Sequence, residues 1–154
     1  MSPEQLSSTV QTAKRICSSA GVRFTEKRQK VLEVLVASDR PLSAYEIVDH
    51  YLVHYKEEIR AMSVYRILDF LQEEQLVHKL NFNNKFISCS HIQCCHDHGL
   101  SQFMICTKCG QVEEVAMPKE LLLSLTQRVS ESGYSMVSPH LELACICHSC
   151  EPKI

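Results

Sequence analysis

The fold is decided by Cys106-Thr107-Lys108-Cys109-Gly110, which is matched downstream by Cys147-His148-Ser149-Cys150. Two C-x-x-C pairs can place four thiolates at the corners of one tetrahedron, which is the geometry of a structural zinc site. The chain between the pairs must then fold back as one unit. Gly110 directly follows the first pair and can adopt a left-handed conformation at little cost. The alternatives are two chance pairs or a redox dithiol, but a dithiol needs only one pair.

Nine cysteines among 154 residues narrow the class of protein. The N-terminus lacks a charged and then apolar leader, so the cysteines indicate metal binding in a reducing compartment, and the cytoplasm is the expected location. The sequence has no apolar run of about 18 residues, so no membrane span is predicted. A small second half would need a metal or a partner subunit for stability, and a zinc ion meets that need.

Charge is unevenly distributed along the chain, although the net charge is only −2. Residues 13–30 carry six basic side chains against one acid, Glu26. Such a basic patch is compatible with nucleic-acid binding despite the slightly acidic total. Residues 81–154 carry fewer charges and hold eight of the nine cysteines, and this shift near residue 80 predicts a domain boundary.

Helical patterns fill the first half of the chain. Capped starts are predicted at Ser2, Thr25 and Ser43, with helices over 3–20, 25–38, from Ser43 onward and over about 61–74. Residues 76–82 and 85–89 predict a hairpin with Asn83-Asn84 in its turn. The apolar stripes of the helices consist of Leu6, Val10, Ala13, Ile16, Cys17, Ala20, Val31, Leu32, Leu35, Ile47, Val48, Tyr51, Leu52, Val64, Ile67, Leu68 and Leu71.

Helices followed by a β-hairpin predict a winged helix, in which one helix enters the major groove and the hairpin touches the DNA backbone. Arg66, near the start of the fourth helix, is the residue type that pairs bidentately with guanine. The alternative is a small helical domain with an incidental hairpin, on which Arg66 is a solvated surface residue.

The second half predicts a small α/β domain, and the chain as a whole an α+β fold. A strand is expected over 111–116, followed by a helix opened by Pro118 and ended by Gly133, and by strands near 134–137 and 140–146. The helix is expected to bury Leu121, Leu122, Leu125 and Val129. The sheet would have an exposed edge, and pairing of that edge with a second copy predicts a homodimer.

Three motifs stand out when taken together: Arg23-Phe24-Thr25-Glu26-Lys27-Arg28, then Ser63-Val64-Tyr65-Arg66, then the H-x-H and C-x-x-C cluster. In this combination they resemble the ferric uptake regulator family, and most closely its zinc uptake regulator branch. The resemblance covers residues 10–150 and implies a homodimeric, metal-sensing transcription factor that binds palindromic double-stranded DNA. It implies a winged-helix domain over 1–82, a wing end and hinge over 83–99, and a dimerisation and metal-binding domain over 100–154.

The resemblance also implies the DNA contacts. Arg23 is expected in the minor groove, Tyr65 and Arg66 at the major groove and phosphates, and Tyr45 and the basic Arg28 at the DNA as well. Two stretches depart from the family pattern: Glu26 stands where many relatives have proline, and Met62-Ser63 replaces the usual Pro-Thr. Glu26 suits a helix N-terminus and is expected to point away from DNA.

A second zinc per subunit is implied at a sensory site. Its ligands by resemblance are His78, Cys89, Glu114 and a connector histidine, for which His98 is chosen and His96 is the alternate. The thiolate of Cys89 favours zinc over iron or manganese, which prefer nitrogen and oxygen ligands. An iron- or peroxide-sensing member of the same family is the alternative.

Several cysteines and histidines have no assigned role at this point. Cys94 and Cys95 match no family position, His140 leaves a third metal site open, and His50, His54 and His148 are interpreted as surface histidines. Two other classes compete with a zinc-responsive repressor. A deaminase-like enzyme is disfavoured because the spacing around His140 and Cys147 is too short, and no small-molecule substrate is expected. A zinc-ribbon adaptor would bind protein but not DNA.

Overall fold

The structure, a computed structural model, describes residues 2–90, 92, 101–137 and 140–152. The chain divides into two compact units, Met1–Cys95 and His96–Ile154. Helices dominate the first unit and a small sheet dominates the second, so the predicted α+β class is confirmed. Among the described residues, no helix combines the length and the apolar composition that crossing a membrane requires.

The first unit contains four helices and a two-stranded hairpin. In chain order they are α1 (Pro3–Ser19), α2 (Glu26–Ala37), α3 (Ala44–Tyr55), α4 (Ala61–Glu73), β1 (Val77–Leu80) and β2 (Lys85–Ser88). This is the order that the sequence predicts for a winged helix.

The starts of α1, α2 and α3 are fixed by side-chain caps. Ser2 and Ser43 each form a capping box with the residue three positions later. The hydroxyl of Thr25 accepts a hydrogen bond from the N–H of Arg28 at 3.3 Å. Each cap satisfies a backbone donor that the helix itself leaves unpaired, and all three predicted starts are confirmed.

The apolar faces of the four helices and the hairpin pack into one core. Cys17 is fully buried, as expected of a small core residue. Leu52 contradicts its predicted burial, since 45% of it is exposed. The buried face of α3 is set by Ala44, Ile47 and Tyr51, and Leu52 lies about 100° round the helix from Tyr51. Ala20 is exposed as well, because it is the C-cap of α1.

The hairpin is anchored to the helical core. β1 and β2 pair antiparallel from Val77 opposite Ser88 to Leu80 opposite Lys85. Asn84 has a φ of 53°, which confirms the expectation that asparagine supplies a positive φ in this turn. The N–H and C=O of buried Phe86 bond to the backbone of Leu42 at 2.8 and 2.9 Å, so the hairpin is held to the segment before α3.

The second unit contains a three-stranded sheet and one helix. Its elements are β3 (Ser101–Cys106), β4 (Val112–Ala116), α5 (Lys119–Glu131) and β5 (Leu141–Cys145). The strand order is β4-β3-β5, with β3 antiparallel to β4 and parallel to β5. The sequence prediction missed β3, and its strand near 134–137 is wrong, because those residues continue from the end of α5 as irregular backbone.

The burial predicted for α5 is also wrong. No residue of α5 is buried: Leu122, Leu125 and Val129 are half-buried, and Leu121 is 40% exposed. The apolar stripe exists in the sequence, but one chain alone covers it incompletely. Part of the apolar surface of this unit therefore remains accessible.

Candidate metal centres and nucleic-acid surface

Both C-x-x-C pairs follow the ends of neighbouring parallel strands. β3 ends at Cys106, β5 ends at Cys145, and these two residues are Cα partners. Because the strands run parallel, the turns that follow them lie at the same end of the sheet, beyond the C-terminal ends of β3 and β5. The register therefore brings the two pairs together, although residues 110–146 separate them in the sequence.

Backbone hydrogen bonds shape each turn. The N–H of Gly110 donates to the carbonyl of Cys106 at 2.9 Å, and Gly110 has the expected positive φ of 76°. The N–H of Cys150 donates to the carbonyl of Cys147 at 2.8 Å. The N–H of Thr107 donates to the carbonyl of Cys145 at 3.0 Å and links one turn to the strand end that precedes the other.

The four sulfur atoms fit a tetrahedral zinc ion. Cys106, Cys109, Cys147 and Cys150 have their Sγ atoms within 4.8 Å of one another, and Cys109 Sγ lies 3.8 Å from Cys147 Sγ. Sulfurs placed at about 2.3 Å from a tetrahedral zinc lie about 3.8 Å apart, so the observed spacing matches that ion. The donor set and the geometry are those of a site that could hold a metal ion, and its assignment as a structural zinc site stays a prediction.

The protonation of these thiols is strongly perturbed. The backbone N–H of Cys147, and then that of Cys109, lowers the pKa of the Cys106 thiol to about 6. Hydrogen bonds with Cys147 and then Cys109 raise the pKa of the Cys150 thiol to about 12. Amide dipoles stabilise the first thiolate, and each further negative charge beside it is disfavoured. A divalent cation removes that penalty because it binds all four sulfurs as thiolates.

In the first unit, His78 and Cys89 lie beside each other at the base of the wing. His78 is opposite Ile87 in the hairpin, and the N–H of Cys89 donates to the carbonyl of Leu76 at 2.9 Å. A ring nitrogen of His78 and the Sγ of buried Cys89 lie within 4.8 Å of each other. Small rotamer changes would let both bind one metal ion.

The remaining predicted sensory ligands belong to the second unit or lie outside the described residues. Glu114 is on β4, opposite Phe103, and its Oε1 accepts a hydrogen bond from the hydroxyl of Ser101 at 2.7 Å. Four residues of predicted or open role lie outside the described residues: His96, His98, Cys94 and Cys95. Their assignment stays a prediction.

His140 begins the segment that leads into β5. Its Nε2 lies 2.6 Å from the Oε1 of Glu142, and its ring centroid lies 5.0 Å from that of Phe103. In the part of the chain that the structure describes, His140 joins no group of three or more potential metal ligands. The described contacts of His140 are those of an acid partner and an aromatic neighbour.

Helix α4 separates a buried stripe from an exposed one. The buried residues are Val64, Ile67, Leu68 and Leu71. Met62, Tyr65, Arg66 and Asp69 are exposed at a spacing that places them on the opposite face. The N-cap, Arg60, forms no side-chain cap. The first N–H groups of α4 therefore receive no side-chain cap from Arg60, and the positive end of the helix dipole at this terminus favours negative charge.

The other residues predicted to contact DNA differ in whether they are exposed or already make contacts within the protein. Tyr45 is 66% exposed in the first turn of α3, and Arg23 is exposed ahead of α2. The guanidinium of Arg28 lies 3.7 Å above the ring of Phe70 and donates a hydrogen bond to the carbonyl of Arg23. Arg28 thus holds the backbone that carries Arg23, and its own contact with DNA stays a prediction.

Lys30 contributes less to the basic patch than its charge predicts. Its Nζ lies 3.0 Å from a carboxylate oxygen of Glu26 and 2.9 Å from one of Glu57. The hydrogen bonds to Glu57 and then Glu26 raise the pKa of Lys30, so the amine stays charged while two carboxylates offset it. The sequence could not indicate this, because Glu57 is 27 positions away.

Comparison with known proteins gives consistent matches along most of the chain. Residues 19–144 match the Ferric uptake regulator family. The chain is 30% identical over 140 residues to the zinc uptake regulation protein of Escherichia coli (strain K12), which covers 90% of this chain and 78% of that protein. It is 29% identical over 138 residues to the ferric uptake regulation protein of Legionella pneumophila, covering 86% and 93%.

Solved structures agree with these matches. A zinc uptake regulator complexed with zinc and DNA superposes with a TM-score of 0.82 at 26% identity, covering 94% of each chain. The holo form of XcZur superposes with a TM-score of 0.78 at 30% identity, covering 92% of this chain and 95% of that one. The resemblance predicted from the sequence is confirmed: this chain belongs to the ferric uptake regulator family.

Proposed function

We propose that the protein is a zinc-responsive transcriptional repressor in the cytoplasm. It binds palindromic operator DNA as a homodimer when a sensory zinc site is loaded, and it controls zinc uptake genes. The observation that carries the proposal is the combination, in one chain, of an exposed Tyr65-Arg66 stripe on α4 with a four-thiol metal site. Two similar proteins support it, since one is named for zinc uptake regulation and the other was solved with zinc and DNA.

In this proposal α4 is the helix that reads the major groove. Arg66 pairs with a guanine edge, and Tyr65 contacts the groove or a phosphate. Exposed N–H groups at the start of α4 bind a phosphate. Arg23 enters the minor groove and the wing lies along the backbone, so specificity resides mainly on α4. This arrangement uses no catalytic residue, and none is assigned.

The dimer is proposed to form through the second unit. β5 is an edge strand of its sheet and carries one charged residue, Glu142, whereas β4, the other edge, carries Glu113 and Glu114. An edge with few charges is the better template for pairing with a second copy. Exposed Leu143, exposed Ile146 and the incompletely covered face of α5 supply apolar surface for the same contact. A two-fold dimer then matches a palindrome.

Two zinc ions per subunit are proposed. Cys106, Cys109, Cys147 and Cys150 hold the structural ion. His78, Cys89, Glu114 and His98, with His96 as the alternate, hold the sensory ion. A bound zinc at the sensory site supplies a positive charge that fixes its ligands in one arrangement. The thiol of Cys89, already beside His78 in the first unit, favours zinc over iron.

The experiment that tests this proposal combines metal analysis with DNA binding. Protein purified without added metal is analysed for zinc and then titrated with Zn²⁺ or Fe²⁺ while binding to selected duplex DNA is followed. We expect zinc-activated, salt-sensitive binding to a palindrome. Activation by Fe²⁺ at lower concentration would favour the iron-sensing alternative, and no binding to duplex DNA would favour the zinc-ribbon adaptor.

Replacement of Arg66 is expected to weaken both affinity and specificity. Arg66→Ala should cost about 1–3 kcal/mol on the selected operator and relax discrimination at one base pair, because a bidentate contact to guanine is lost. Arg23→Ala serves as the comparison and should weaken binding to all sequences. Titration of each variant against operator and random duplexes checks this, and equal losses on both duplexes for Arg66→Ala would contradict base reading.

Because Lys30 is paired with carboxylates, we expect that removing it together with Glu57 leaves the salt dependence of DNA binding unchanged. The double variant Lys30→Met with Glu57→Gln removes one positive and one negative charge, so local net charge is preserved. We expect the dependence of log affinity on log salt to be unchanged, whereas Arg23→Ala should reduce the slope by about 1. A slope reduced by a similar amount in the double variant would mean that Lys30 contacts a phosphate.

A further inference from the structure

Helix α3 carries a histidine pair that belongs to none of the sites above. His50 and His54 are both exposed and lie four positions apart. Their ring centroids are 6.2 Å apart, with an angle of 29° between the ring planes. Residues spaced by four share one stripe of a helix, so both imidazoles extend from the same side of α3 into solvent.

We propose that His50 and His54 chelate a late first-row divalent cation, namely Zn²⁺, Ni²⁺ or Cu²⁺. Imidazole nitrogen is a favoured ligand of all three ions. Two rings that bind one ion at about 2.0–2.1 Å have centroids about 5 Å apart, by the geometry of the imidazole ring. The rings as they stand are 6.2 Å apart, and rotation about the side-chain torsions of two exposed residues closes that difference at little cost.

The location on α3 suits a cation. His54 lies in the last turn of the helix, where the unpaired carbonyls create a partial negative charge. Exposed Asp49 precedes His50 and adds a carboxylate to the neighbourhood. Lys56, the C-cap of α3, is the opposing charge, but it is solvent-exposed and screened. Two protein ligands leave the other positions to water, so the ion binds more weakly than at a four-thiol site.

Metal bound at the His50–His54 pair is not expected to activate DNA binding. The site lies entirely within the first unit and on a single helix, so its occupancy cannot restrain one unit against the other. Metal titrations should therefore reveal an additional, weaker equivalent that does not itself activate DNA binding. The inference rests on the geometry of α3, and its test rests on the proposed function only for the two zinc equivalents that are loaded beforehand.

The test is a Zn²⁺ titration, at neutral pH, of protein already loaded with two zinc equivalents. Bound zinc is measured by calorimetry, and the ring nitrogen resonances of all histidines are followed by NMR. We expect a third equivalent to bind while the rings of His50 and His54 shift together. In His54→Gln its affinity should fall about tenfold or more, because the effective concentration of the second imidazole is lost.

A matched control keeps the number of histidines on α3 but changes their spacing. The variant His50→Gln with Val53→His places two imidazoles at adjacent positions, which point to different sides of the helix. Val53 is 75% exposed, so α3 should tolerate the change. The control should bind no better than His54→Gln. Binding as tight as wild type, or a third equivalent that leaves the rings of His50 and His54 unshifted, would overturn the proposal.

Discussion

Cys109→Ser is expected to remove the structural zinc and, with it, the fold of the second unit. Zinc content should fall by at least one equivalent per chain, thermal unfolding should occur at a much lower temperature, and the dimer should dissociate. Serine is a poor zinc ligand, so three thiolates would have to hold the ion. Zinc analysis, thermal unfolding and sedimentation of the purified variant provide the measurements.

The expected effect is large because the second unit has little core of its own. Among its described residues, the buried apolar side chains are Phe103, Ile105 and Cys106, all on β3. Structural zinc contributes about 10–16 kcal/mol of apparent folding free energy in small zinc peptides. That range is comparable to the total stability of a typical domain, about 5–15 kcal/mol. A loss of several kcal/mol would therefore unfold the unit.

Cys145→Ser is the matched control for this experiment. Cys145 is the Cα partner of Cys106, but it is not among the four cysteines whose sulfurs lie within 4.8 Å of one another. We expect the control to retain both zinc ions and to remain dimeric. If Cys109→Ser behaves like Cys145→Ser in zinc content, stability and assembly, the four-thiol assignment is wrong.

The first unit could be predicted from the sequence because its signals are local. The hydroxyls at Ser2, Thr25 and Ser43 fix three helix starts, and the stripe around Val64 and Leu68 defines the buried face of α4. Both signals act within one or two helical turns, so they can be recognised in the sequence when the tertiary fold is not known.

The second unit was predicted less well, because its strands and helix depend on distant partners. β3 becomes a strand by pairing with β4 on one side and with β5, far along the chain, on the other. The apolar stripe of α5 predicts burial, yet a single chain leaves it partly exposed. A periodic pattern shows which face is apolar but not which molecule covers it.

The spacing of the cysteines predicted the candidate metal site, but it did not predict the strand pairing that brings the two C-x-x-C pairs together. Two C-x-x-C pairs predict the four ligands, but the parallel register of Cys106 with Cys145 is what brings the pairs together. Likewise the basic patch was visible in the sequence, whereas the pairing of Lys30 with Glu57 was not. The composition gives the number of charged residues, but only the fold shows which of them are already paired with an opposite charge.

Cys89→Ser should abolish zinc-activated DNA binding while the structural zinc and the dimer remain. In the proposed sensory site, His78 and Cys89 come from the first unit and Glu114 from the second. A bound zinc would then restrain the two units in one arrangement. Without it, only a fraction of dimers would hold both α4 helices at the operator spacing, and the apparent affinity would fall in proportion to that fraction.

A second buried cysteine in the same unit provides the control. Cys17 is 0% exposed and Cys89 is 4% exposed, so a serine at either position introduces a hydroxyl into the core of the first unit. Cys17→Ser should lose some stability but keep its zinc response. His78→Gln, at a half-buried position on β1, removes another proposed ligand without touching a cysteine. It should reproduce the loss of response even if Cys89→Ser proves too unstable to study.

Thermodynamic linkage gives the sharpest form of this prediction. If sensory zinc raises operator affinity by a given factor, operator DNA must raise the affinity of that zinc by the same factor. Zinc titrations of the wild type with and without operator should therefore differ, whereas those of Cys89→Ser should coincide. Wild-type operator affinity in Cys89→Ser with only the structural zinc bound would refute the sensing role. A monomeric, unfolded Cys89→Ser beside a folded, unresponsive Cys109→Ser would mean that the structural and sensory assignments are exchanged.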